Sequence, residues 1–381
     1  MKPEAARQLN DTPFPQYLYM AVELSNEKWK VAFTIGFGQQ PRIRNLTARD
    51  LRALAEEIHL AKIRFVLPES VPVVSCYEAG RDGFWLHRYL VAQGITNLVV
   101  DSASIEVNRR KRRAKTDSMD VGKLLTMLMR YHQGEKKAWS IIHVPSPEEE
   151  DQRQLHRELM ALTAERTRHI NRIKGLLASQ GVVLLVKEDF LSQLETVQLW
   201  DSSNLPPGLR SRLVREYERL QILNEQIRQL ERSCAEAIRT STTPAMKQVR
   251  QLLRLKAIGR KSAWVYVMEF FSWRNFRNRR ELGSLAGLTP TPYQSGESAK
   301  EQGISKAGNR RIRAMAIEIA RVWLRYQPDS QLSRWYQERF ARGNSRIRRI
   351  GIVALARRLL IALWQYLETG VPPIGAVLAT R

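Results

Sequence analysis

The chain has 381 residues, of which 62 are Lys or Arg and 38 Asp or Glu, leaving a net charge of +24. Hydrophobic residues at 43% exclude a wholly disordered chain, the length favours two or three domains, and two cysteines, Cys76 and Cys234, are too few for a disulfide or zinc framework. So basic a balance points to a polyanionic partner, nucleic acid first, because every phosphate neutralised releases condensed counterions.

The first 146 residues read as α/β. "YLYMAVELS" and "KWKVAFTIG" are β-rich runs separated by a turn, and "PRIRNLT" is a candidate third strand. "ARDLRALAEEIHLA" has helical spacing, and "VPVVSCYEAG" is the apolar run of a buried strand with a glutamate at its end. The helix-like "GFWLHRYLVAQG", the strand "ITNLVVDS" and the helix "DSMDVGKLLTMLMR" follow. A hairpin followed by alternating helix and strand predicts a mixed sheet with helices on its faces.

"VPSPEEEDQ" is a proline-marked acidic break, after which residues 147–247 become helical and charged. Leu155, Leu159, Leu162, Ile173 and Leu176 fall near heptad positions, with Arg166 and His169 interrupting the seam. Leu213, Tyr217, Leu220, Leu223, Ile227, Leu230 and Cys234 form a cleaner series, and "LPPG" between the two is a loop signal. The expectation is a helical hairpin or coiled coil that also carries a dimer contact, or else an intramolecular bundle.

Residues 248–381 are basic and mainly helical. "LLRLKAIGRKSAWVYVMEFF" resembles a helix-hairpin-helix element, whose turn aims a helix N-terminus at a phosphate; Ala257 stands where the first turn glycine is usual, and Gly259 is retained. Arg260 and Lys261 follow that turn as candidate phosphate contacts. The apolar run "GIVALARRLLIALW" is broken by arginines before the roughly 18 residues a membrane span needs, so no membrane partner is expected. "MKPEAARQLNDTPFPQ" lacks the apolar stretch of a signal peptide.

Four carboxylates carry candidate chemistry. Glu23 lies in the first strand and Glu78 closes the fourth, while Asp117 and Asp120 stand at i and i+3 of a helix start, on one face. Carboxylates gathered at a sheet edge repel unless a hard cation such as Mg²⁺ sits between them. A pair of such ions about 3.5–4 Å apart serves phosphoryl transfer, a ribonuclease H-like arrangement. Taken singly, Glu23 reads as an edge-strand charge and the Asp pair as a cap that complements the helix dipole. Immediately before the pair, Arg109, Arg110, Lys111, Arg112, Arg113 and Lys115 form a basic run that either grips a phosphate chain or is a solvated loop.

In chain order, "YEAG", "RRKRRAKTDSMDVGKLL", "LKAIGRKSA", "LAGLTPTPYQSGES" and "ISKAGNRRIR" resemble the transposases of insertion-sequence family one-ten, the bridge recombinases with a DEDD acidic site. The resemblance spans nearly the whole chain. It implies an N-terminal RuvC-like domain (1–146), a coiled-coil segment for dimerisation (147–247) and a C-terminal transposase domain with a serine nucleophile (248–381). The acidic set carries over to Glu23, Glu78, Asp117 and Asp120, with Glu23 where that family commonly has aspartate in a pattern like "IDVSK". The nucleophile carries over to Ser295 of "YQSGES", with Ser298 the second candidate. Lys306, Arg310, Arg311 and Arg313 downstream are then candidates to clamp the scissile phosphate.

The resemblance further implies Mg²⁺ as cofactor, a noncoding bridge RNA that pairs with donor and target DNA, and a homo-oligomer, a dimer that becomes a tetramer when DNA ends are brought together. The location it implies is a prokaryotic cytoplasm, at the nucleoid when active. The expected activity is RNA-guided cutting and rejoining of DNA through a phosphoserine. Two alternatives stand beside it: a RuvC-like metal-dependent endonuclease that uses water, and a non-catalytic nucleic-acid-binding protein.

Overall fold

The computed structural model describes residues 17–80, 83–105, 117–295 and 298–379; within these, the side chains of 103, 117–120, 292–295 and 298–302 are outside the description. The basic run Arg109, Arg110, Lys111, Arg112, Arg113 and Lys115 lies outside the described residues. The chain divides into two compact units, Met1–Val144 and Pro145–Arg381.

The first unit is a three-layer α/β structure. β1 (Leu18–Glu23), β2 (Lys28–Thr34) and β3 (Arg42–Thr47) form an antiparallel meander, and β4 (Val73–Glu78) and β5 (Thr96–Val100) extend it in parallel, giving the order β3-β2-β1-β4-β5. Parallel neighbours need crossovers, and α1 (Leu51–Arg64) and α2 (Trp85–Ala92) supply them. Alternation along β1 splits the core in two. Leu18, Met20 and Val22 pack with Leu54 of α1 and Leu86 and Leu90 of α2. Tyr19 and Ala21 point the other way, with Val74 and Cys76, onto Val121, Leu124, Leu125 and Leu128 of α3 (Asp117–His132). Both faces are covered, which is why the strands read as nearly continuous apolar runs.

The second unit is helical apart from one hairpin. The acidic break is itself a short helix, α4 (Pro147–Asp151): Ser146 accepts from the Glu149 amide while the Glu149 carboxylate accepts from the Ser146 amide, a reciprocal cap. α5 (Gln154–Ala178) and α7 (Pro207–Thr240) pack against each other within the chain. Ile173 and Leu177 meet Leu213, Tyr217 and Leu220, and α6 (Phe190–Thr196) closes that end through Phe190. The intrachain helical hairpin is thus present, built on the apolar series of α7. α8 (Pro244–Leu253), α9 (Arg260–Tyr266), α10 (Arg279–Leu285), α11 (Arg310–Tyr326), α12 (Gln331–Tyr336) and α13 (Ser345–Thr369) follow, with the strands β6 (Pro290–Ser295) and β7 (Ser298–Ile304) between α10 and α11. One large core joins α8, α9, α11 and α13 through residues such as Val249, Tyr266, Trp323 and Leu359. α9 and α12 each run on into a five-residue π turn, Val267–Phe271 and Gln337–Ala341. By length and composition α13 is the single helix among the described residues that could cross a membrane. Its Leu355, Leu359, Leu360 and Leu363 are buried in the core of the unit.

Candidate functional site

Glu23 and Glu78 close the neighbouring parallel strands β1 and β4, whose last registered pair is Val22 opposite Tyr77. The two acids therefore leave the sheet side by side at its C-terminal edge, Glu23 half-buried and Glu78 exposed. α3 runs against these strands. Its last residue, His132, lies at the start of β1, with Nδ1 3.0 Å from the Tyr19 hydroxyl and its ring 4.6 Å from that of Tyr17. Further back, the Cys76 thiol donates to the Leu124 carbonyl at 3.8 Å. From Leu124 to Asp120 the helix advances about 6 Å, and from Cys76 to Glu78 the strand advances about 6.6 Å. α3 therefore runs antiparallel to β1, and its N-terminal turn, which bears Asp117 and Asp120, lies toward the C-terminal end of β1 and β4. Asp101, one residue past β5 and next to the Glu78 partner Val100, adds a carboxylate at the same edge; the run "VVDS" contained that signal. No group of three or more His, Cys, Asp or Glu gathers as a metal site among the described residues. Glu23, Glu78 and Asp101 are carboxylates, the ligand type a hard cation such as Mg²⁺ selects.

In the second unit, Ser295 ends β6 and Ser298 begins β7, and the two are cross-strand partners in the antiparallel hairpin. Both serines therefore belong to one end of one element. The hairpin is held at its base by two glycines. Gly287 (φ +67°) and Gly308 (φ +104°) are left-handed, and a Cβ on Gly308 would stand 2.2 Å from the Leu285 carbonyl oxygen.

The cations after the hairpin have unlike surroundings. Lys306 and Arg310 are exposed. Arg313 donates to the Lys306 carbonyl at 2.8 Å, bracing the loop before α11. Arg311 approaches Glu269 at 4.0 Å. At the α8 to α9 turn, Ala257 has φ +85°, the left-handed position where glycine is usual. Arg260 and Lys261 are exposed in the first turn of α9. The Gly259 amide donates to the Ser262 hydroxyl at 3.0 Å, so that donor is used within the turn.

Two buried carboxylates, neither singled out by sequence, organise this unit. Glu269, in the π turn after α9 and only 1% exposed, accepts from His156 Nε2 at 2.9 Å, from Arg157 Nε at 2.7 Å and from the Asn309 side-chain amide at 3.4 Å. Burial alone would raise its pKa; the hydrogen bonds from His156 and Arg157 outweigh that and hold it well below the usual carboxylate range. Glu216 of α7 repeats the pattern lower on α5, with His169 Nδ1 at 2.6 Å and Arg172 at 3.0 Å, and its pKa is likewise lowered against the effect of burial. The break in the α5 heptad at His169 was the trace of this pairing.

Comparison with known proteins gives the family. Residues 249–337 match the family described as Transposase IS116/IS110/IS902. The transposase-like protein y4rJ of Sinorhizobium fredii is 41% identical over 376 residues, covering 95% of each chain. The transposase for insertion sequence element IS1328 of Yersinia enterocolitica is 28% identical over 229 residues, 58% of this chain and 65% of its own. That for IS1111A of Coxiella burnetii is 26% identical over 166 residues, 43% of this chain and 44% of its own. The chain, of mixed α/β and helical build, is thus related to a transposase-like protein along 95% of its length. The chain belongs to the IS116/IS110/IS902 family of insertion-sequence transposases.

Proposed function

We propose that this transposase is a bridge-RNA-guided DNA recombinase with two half-sites: a RuvC-like acidic site of Glu23, Glu78, Asp117 and Asp120, and a nucleophilic serine, Ser295. The observation that carries the reading is the side-by-side emergence of Glu23 and Glu78 from the parallel strands β1 and β4, against which α3 packs antiparallel to β1. The strand order β3-β2-β1-β4-β5, a meander extended by two parallel strands, supports it as the ribonuclease H-like plan.

The four carboxylates would hold Mg²⁺, which when bound supplies positive charge for phosphoryl transfer. Ser295 Oγ gives up its proton and attacks a DNA phosphorus, forming one phosphorus–oxygen ester bond as one to a deoxyribose oxygen breaks, and that oxygen takes up a proton to leave as a hydroxyl. The phosphoserine retains the bond energy, so a second deoxyribose hydroxyl can displace the serine and reseal the strand without ATP. Lys306 and Arg310, exposed near the hairpin, are suited to the phosphate charge. Sequence choice rests with pairing between the noncoding RNA and the donor and target DNA, the protein gripping backbone and shape. The helical hairpin of α5 and α7 would bring protomers together so that the acids of one meet the serine of another.

Covalent trapping tests this. Protein, Mg²⁺, RNA transcribed from the flank of the element, and labelled donor and target DNA are mixed and denatured. A labelled protein band is expected, lost in Ser295→Ala, in Asp117→Asn with Asp120→Asn, and on omitting RNA. A band that persists in Ser295→Ala but vanishes in Ser298→Ala moves the nucleophile across the hairpin. DNA cut without a band would sink the serine mechanism in favour of water, and a band independent of RNA would sink the guidance.

A further inference from the structure

The second unit contains a groove of about 1510 Å³ between α10, the base of the β6–β7 hairpin, α12 and α13. That exceeds the roughly 300–1,000 Å³ of small-molecule pockets, which favours a polymer as occupant. Six arginines line it: Arg279 and Arg280 at the start of α10, and Arg346, Arg349, Arg357 and Arg358 on α13. No carboxylate lines it, and none of the six forms an ion pair among the described residues. Gathered cations without counter-charges repel each other, so the groove is poised for an anion.

Apolar side chains line it as well, among them the half-buried Leu332, Val353 and Ile361 and the exposed Ile374. Trp335 also lines it, its indole already covered by the Arg358 guanidinium at 4.2 Å. Arginines mixed with apolar and aromatic side chains suit a strand whose bases are unstacked, since phosphates meet the guanidinium groups and base faces meet the apolar groups. A duplex keeps its base faces inside and gains nothing from the apolar lining.

We propose that this groove holds a single-stranded segment of DNA next to the cleavage site. The choice of DNA rests on the reading of Ser295 as nucleophile: Pro290 and Ile304, at the foot of the hairpin, line the groove, and β6 carries the chain from Pro290 to Ser295 over about 17 Å. A strand attacked at the hairpin would pass into the groove within a few nucleotides.

Fluorescence anisotropy on the full chain tests it, with a labelled single-stranded DNA of about 12 nucleotides, inside the roughly 4–16 nucleotides such sites take, and with RNA and blunt duplex of the same sequence. Arg346→Gln with Arg349→Gln should weaken single-strand DNA binding about tenfold and make the salt dependence shallower by about 1.4 in log–log slope, 0.7 for each phosphate no longer neutralised. Arg228→Gln with Arg232→Gln, on α7 where both pair with Glu225, should bind as wild type. Melting temperatures verify that both variants fold. Unchanged binding in the groove variant overturns the proposal, as does a loss confined to RNA or duplex. Ser295→Ala should retain strand binding here, so a failed trapping experiment with a groove that still binds removes the serine reading alone.

Discussion

Removing the charge at Glu269 should destabilise the second unit sharply. In Glu269→Gln, the Arg157 guanidinium loses its counter-charge beside a residue that is 1% exposed. Breaking a buried pair from one side costs about 3–5 kcal/mol. Arg157 is 33% exposed, so water shares the load and the lower end, about 3 kcal/mol, applies. For a unit the size of Pro145–Arg381 each kcal/mol moves the midpoint by about 2–4 °C, giving a drop of about 6–12 °C. Thermal unfolding followed by circular dichroism measures it, and Arg157→Met in the Glu269→Gln background should recover part of the loss because the stranded charge is gone. A drop under about 1 °C, or no recovery in the double variant, would refute the assignment of Glu269 as a charge lock.

Other consequences follow from single residues. Both Glu269 and Glu216 have depressed folded-state pKa values; their contribution is complete above the unfolded value of about 4.3 and is lost as pH falls toward the folded one. Acid unfolding should therefore shift to higher pH when Glu216 is replaced by Gln, and an unchanged acid midpoint would count against the lock at α7. Ala257→Gly should stabilise by up to about 1 kcal/mol, because relief of the left-handed strain of about 1–2 kcal/mol outweighs the added chain entropy; denaturant titration would detect it. Gly308→Ala should destabilise by at least about 2 kcal/mol, with φ +104° and a backbone oxygen 2.2 Å from the new Cβ. Wild-type stability for that variant would disprove the close packing of the hairpin base.

The strands of the first unit are legible in sequence because both sheet faces are buried, so "YLYMAVE" and "VVSCYE" are dominated by apolar residues that cannot be solvated. The acids at their ends are legible for the same reason, because polar groups stand out where an apolar run stops; the aspartate pair is legible only by its i and i+3 spacing behind a basic run. The locks of the second unit are not. Glu269 sits in "VMEFF" as a lone acid in an apolar stretch, and its partner His156 is 113 positions away. Hydrophobic periodicity describes which side of a helix is buried and carries nothing about which polar group awaits it there. The π turns are equally silent, since "WVYVMEFF" is apolar almost throughout and an extra residue in the turn shifts no visible pattern. The hairpin bearing Ser295 hides behind the two prolines of "PTPYQS", which argue against a strand unless it is an edge. The groove arginines are spread over α10 and α13, and only the fold brings them to one surface.

The two locks also limit how α5 moves. His156 with Arg157 and His169 with Arg172 come from one helix and meet different carboxylates, Glu269 and Glu216. A slip of one helical turn, about 5.4 Å, would strand both acids at once. The two pairs thus act on α5 like teeth on a rod: a change of register along the axis must disengage both together.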